Sequence, residues 1–123
     1  MNISQPVPFQ AVQLGQSVTL ECYISGVSTI VWYKLTAAKG LQCVIGDFGG
    51  IYYSGNEGHV SIETDKVRSH IDIINIRPED TGTYFCGVNL LDIGMEFGPG
   101  TFLMIQGISP PVLTFNTLLI AVI

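Results

Sequence analysis

"DTGTYFC", residues 80–86, decides how this chain folds, because in an extended strand alternate residues share one face. Asp80, Gly82, Tyr84 and Cys86 then point the same way, onto either a buried core with polar anchors or a chemical site. The surrounding sequence favours strands throughout. "SVTLECYI" (17–24), "STIVWYKL" (28–35), "SHIDIINI" (69–76) and "GTFLMI" (100–105) are short, β-branched and aromatic, and separated by Gly, Pro, Asn and Asp clusters, with no helical period of useful length. The chain is expected to be all-β. At 123 residues, with 47% hydrophobic and 12% charged content, it fits one globular domain, placed at residues 3–106, followed by an apolar tail at 107–123. A net charge of −5 and the lack of any run of Lys and Arg argue against a nucleic-acid partner, whose phosphates need basic side chains.

Cys22 shares its strand face with Val18, Leu20 and Ile24, and Cys86 shares its own with Tyr84. Both point inward, so a core-crossing disulfide follows, with Trp32 in the next strand packed against it. Paired cysteines, a core Trp and a Tyr two residues before the second Cys resemble the hallmarks of immunoglobulin domains. The resemblance implies a two-sheet Greek-key sandwich of V-set type, a tyrosine corner in which Tyr84 reaches back to the turn "IRPED" (76–80), and Asp80 anchoring that turn. The bridge closes a long loop and implies an oxidising compartment.

"FGPGT" (97–101) is similar to the joining segment of antigen-receptor variable domains. Gly98 and Gly100 allow positive φ and a bulge, so that the final strand this segment opens can twist and pass close to a neighbouring chain. If Trp32 and Cys86 face the core, then Val31, Tyr33, Leu35 and Phe85 face outward, and alignment with variable domains adds Leu41, Cys43 and Phe97. A solvated sheet face should be polar, so this apolar one predicts an interface, either a homodimer or pairing with a related V domain. The alternative is that the chain's own loops cover it. Variable domains usually carry a glutamine where this chain has Leu35, which removes a polar link across such a pair.

Cys43 is the odd cysteine, read as a small apolar residue at that interface, with an interchain disulfide or a reactive thiol as alternatives. His59 stands where variable domains usually carry an Arg and is offered to Asp80, the alternative being an exposed loop position. His70, beside Asp72, is read as a surface residue. With no HExxH, CxxC, GxSxG or phosphate-cradling loop, the chain is expected to be no enzyme and to need no metal or cofactor.

Function is expected in three loops at one end of the sandwich. They offer Ser28 from the first, Phe48, Tyr52 and Tyr53 from "DFGGIYYSGNEG" (47–58), and Asn89, Leu90, Leu91, Asp92, Ile93 and Met95 from the third. Leu90 and Leu91 serve equally well as packing residues. "GQSVTLEC", "VWYK", "RPEDTGTYFC" and "FGPGT" together resemble the novel immune-type receptors of bony fishes, and also T-cell receptor and light-chain variable domains. That likeness implies an extracellular, cell-surface receptor domain that binds a cell-surface protein, its parent anchored in a membrane. No secretory signal precedes "NISQPV", so Met1 is read as an artificial start, and Asn2-Ile3-Ser4 is a formal glycosylation sequon. "VLTFNTLLIAVI" (112–123) is shorter than the roughly 20 residues that span a bilayer, and is read as a stem, the start of a span or an alternative end.

Overall fold

The computed structural model describes residues 2–26, 29–54, 59–90 and 94–106. Among the described residues ten strands run in order: β1 (Phe9–Gln13), β2 (Val18–Tyr23), β3 (Thr29–Thr36), β4 (Gly40–Phe48), β5 (Tyr52–Ser54), β6 (Val60–Thr64), β7 (Arg68–Ile73), β8 (Gly82–Leu90), β9 (Gly94–Phe97) and β10 (Thr101–Gln106). A 3₁₀ turn, Pro78–Asp80, precedes β8. One sheet has the order β1-β10-β8-β3-β4-β5, with β9 pairing the far end of β8, and the other has the order β2-β7-β6. The all-β class expected from the strand pattern, and the two-sheet sandwich that the resemblance implies, are the fold observed.

Alternation builds the core. Val18, Leu20 and Cys22 of β2, Ser69, Ile71 and Ile73 of β7, and Thr101, Leu103 and Ile105 of β10 are buried, while their neighbours face outward. Cys22 and Cys86 are bonded across the two sheets with their Cα atoms 6.3 Å apart. Trp32 is fully buried, and its indole N–H donates to the Ser69 hydroxyl at 3.1 Å, so the one polar atom of a large apolar ring is satisfied inside the core.

Two local features sharpen the sequence reading. The joining-like segment does not open one continuous strand: Phe97 ends β9, Thr101 begins β10, and residues 98–100 break the ladder between them. Part of the second loop region is strand, as its sequence requires: β4 extends to Phe48 and β5 begins at Tyr52, leaving a connection of residues 49–51. Gly49 and Gly50 at φ 66° and 94° make that short connection possible, and the Asp47 carboxylate accepts the Gly50 N–H at 2.9 Å.

Candidate functional site

The outer face of the larger sheet is assembled by register. Tyr33 lies opposite Cys43 and Leu35 opposite Leu41 across β3 and β4, Phe85 lies opposite Tyr33 across β8 and β3, and Phe97 lies opposite Gly87 across β9 and β8. The Tyr33 and Phe97 rings meet edge to face with centroids 5.5 Å apart, over the space left by Gly87. Leu35, Leu41 and Phe97 are 43%, 51% and 43% exposed, whereas Tyr33, Cys43 and Phe85 are half-buried. Val31 shares the face but is buried in the domain itself. Opposite it Gly46 has no side chain, and the Phe48 ring lies over that bare backbone beside Val31. Val31 therefore supports the face from below and is not available at its surface.

Burial pushes the Cys43 thiol up, and burial followed by the nearness of Cys43 does the same to the Tyr33 phenol. A thiol held neutral in this way is a poor nucleophile, in keeping with a packing role. The apolar surface continues across the sheet through Phe102 and Phe9, whose ring centroids are 5.8 Å apart, to Met104. That extension was not read from the sequence, although its alternation along β1 and β10 would have revealed it.

The joining-like glycines hold their positions for two different reasons. Gly100 takes φ 95°, and a Cβ there would fall 2.6 Å from the Phe85 ring. Gly98 does not use the positive φ open to a glycine. Instead a Cβ on Gly98 would strike the Gln5 side chain. Gln5 is buried and ties β8 to the break before β10: its amide nitrogen donates to Tyr84 O at 2.9 Å, and its amide oxygen accepts from Gly100 N at 3.0 Å and Cys86 N at 3.3 Å. Nothing in "NISQPV" marks this residue, because each of its contacts is about eighty or more positions away in the chain.

Below the core, the Tyr84 hydroxyl donates to Asp80 O at 2.6 Å. Burial, and then the Asp80 charge, push the Tyr84 phenol well above its ordinary range. The Asp80 carboxylate accepts from Arg77 N at 2.8 Å and from His59 Nε2, which lies 2.9 and 3.0 Å from its two oxygens. His59 and Asp80 are both buried, so the histidine does take the place facing the aspartate. His70 is not simply on the surface: its imidazole is mostly covered, with Nε2 3.7 Å from carboxylates of both Glu63 and Asp72.

At the other end of the sandwich Phe48, Ile51, Tyr52 and Tyr53 are exposed, Ile51 most of all at 74%. Asn89 and Met95 sit opposite one another in the β8–β9 hairpin, on the same outer face as Phe97. Leu90 packs against the core. Ser28, Leu91, Asp92 and Ile93 lie outside the described residues. Among the described residues no cluster of three His, Cys, Asp or Glu is placed to hold a metal ion.

The family described as Immunoglobulin V-set domain matches residues 5–106. Among curated relatives, the IgW heavy chain V region W26 of Heterodontus francisci is 30% identical over 118 residues, covering 88% of this chain and 99% of that protein. T-cell receptor alpha chain V region PHDS58 of Mus musculus is 28% identical, covering 81% of this chain and 80% of that protein. T-cell receptor beta chain V region CTL-F3 of Mus musculus is 31% identical, covering 74% of each. With a sandwich, a cross-sheet disulfide and a joining-like break that all agree with that match, the chain belongs to the immunoglobulin V-set domain family.

Proposed function

We propose that this chain is the ligand-recognition domain of a cell-surface immune receptor, of the novel immune-type receptor class, and that it pairs through the outer face of its larger sheet with a second copy or a related V domain. The observation that carries the pairing is the exposure of Leu35, Leu41 and Phe97 beside Tyr33 and Phe85, an apolar surface where a solvated sheet would be polar. The disulfide favours an oxidising, extracellular setting. Anchoring of the parent receptor is part of the proposal; among the described residues no helix is long and apolar enough to cross a membrane. The bound partner in this reading is a cell-surface protein, met by Phe48, Ile51, Tyr52 and Tyr53 as rigid anchors. No chemistry of an enzyme is required.

Sedimentation equilibrium with and without mild reductant, alongside Leu35→Gln, tests the pairing. A dimer weakened by Leu35→Gln supports it, sensitivity to reductant adds Cys43 as an interchain bridge, and a monomer at high concentration removes self-pairing. Substituting Tyr52 and Tyr53 tests the loops: unchanged binding to ligand-bearing cells would leave an adhesion module that works through its sheet face. The similarity to T-cell receptor V regions supports a rearranged receptor chain as the second reading. Genomic DNA that encodes "YFCGVNLLDIGMEFGPGT" in one uninterrupted stretch would exclude it.

A further inference from the structure

The end of the sandwich away from the recognition loops is not closed by apolar side chains. A cavity of about 380 Å³ opens there between the β3–β4 turn and the 3₁₀ turn before β8, within the roughly 300–1,000 Å³ typical of small-ligand sites. The chain has 5 Lys and Arg against 10 Asp and Glu, scattered in sequence. Three of those five cations, Lys34, Lys39 and Arg77, line this one cavity, together with the Gln42 amide. Of the two acids in the lining, Asp80 is fully engaged and Glu79 shares an exposed, loose pair with Arg77, whose other guanidinium N–H groups remain for an acceptor. Asp80 is engaged by His59 and Arg77 N, and the Glu79 carboxylate lies 3.6 Å from Arg77 Nε.

Lys34 is the central group. It continues the core-facing phase of Trp32, and its stem passes over Gly82, where a Cβ would come within 2.9 Å of it. Its ammonium donates to Glu79 O at 2.7 Å, which leaves two of three N–H bonds for another acceptor. Partial burial lowers the Lys34 pKa, a cost that an anion beside the ammonium would offset. Cys43 also borders the cavity, but its thiol is pushed up by burial and takes no chemical part.

We infer that this cavity is a binding site for a sulfate- or phosphate-type oxyanion, held by Lys34, Lys39, Arg77 and Gln42, away from the loops and meeting the sheet face only at Cys43. The three cations of the lining outnumber its two carboxylates by one, and such a group brings negative charge and several oxygens to accept their hydrogens. The cavity is larger than the bare ion, so it also accommodates the body of a small ester that carries one.

The test is a titration of the intact domain with sodium sulfate, sodium phosphate and a sulfated disaccharide, following backbone amide shifts, with sodium chloride as the ionic-strength control. Saturable shifts confined to residues 34–42 and 77–81 are expected, with affinity falling roughly tenfold in Lys39→Gln and again in Arg77→Gln, the loss typical of a charged hydrogen bond. Neither side chain is part of the core, and thermal melts of the variants verify the fold. Tighter binding of the disaccharide than of either ion identifies a sulfated sugar as the natural source, and equal binding identifies the free oxyanion; both support the site. Shifts that match the chloride control, or affinities unaltered in both variants, overturn it.

Discussion

Tyr84 and His59 show how much rests on single side chains beneath the core. The Tyr84 hydroxyl bond to Asp80 O is buried, so Tyr84→Phe should cost about 1–2 kcal/mol, read from urea denaturation. Its raised pKa has a further effect. A phenol that holds its proton more tightly when folded contributes stability below its unfolded value of 10.0, and that contribution is lost as pH rises from there through the folded value. Tyr33 and Cys43 act in the same sense, while Lys34, lowered by burial, acts in the opposite one. Stability should therefore fall above about pH 10, and Tyr84→Phe should flatten most of that fall in a pH series of melts. His59→Ala should cost about 2–3 kcal/mol, because it leaves the buried Asp80 carboxylate with Arg77 N and no partner from β6's side of the sandwich. Restored stability in His59→Arg would show that the position selects a donor to Asp80. The sequence made both residues legible, since Tyr84 is named by its spacing from Cys86 and His59 by the acid it could meet. Gln5 was not legible, as no local pattern points at contacts with the far end of the chain.

At the scale of elements, period-two alternation told which residues of β2, β3 and β8 face the core, whereas the register between strands emerges only in the fold, and the outward face of β10 is first seen there. What alternation could not tell was where a strand breaks and why. Gly98 and Gly100 looked alike in sequence, yet one makes room for a side chain and the other takes a left-handed conformation. A double-mutant cycle separates them. Gly98→Ala should be destabilising in the native protein and much less so in a Gln5→Ala background, where the obstructing side chain is gone. Gly100→Ala should cost about 1–3 kcal/mol in either background, since its strain lies in φ and against Phe85. Equal coupling of both glycines to Gln5 would contradict this division. Val31 is a similar case: its phase was right, but its burial depended on Gly46 admitting Phe48 from a neighbouring strand.

Over the whole molecule, the disulfide and the N-terminal segment tie the two sheets together. Cys22 and Cys86 are 0% and 1% exposed, so mild reductant should spare this bridge while cleaving any intermolecular one at Cys43, and thiol counting of the folded protein checks it. Replacing both cysteines with Ala should cost about 2–5 kcal/mol in denaturant unfolding. Composition foretold an acidic protein but not where its few cations gather, because charge distribution in space belongs to the fold. The N-terminal segment makes the second tie: Ser4 exchanges backbone hydrogen bonds with Tyr23 of β2, and five residues later the same chain pairs with β10 in the other sheet. That pairing is parallel, from Phe9 opposite Phe102 to Gln13 opposite Gln106. Tension applied to the N-terminal side of β1 and the C-terminal side of β10 thus drags the two strands past each other along their length. All the rungs of the ladder bear the load together in shear, and the domain resists pulling at its ends as a glued lap joint does, without peeling from one edge.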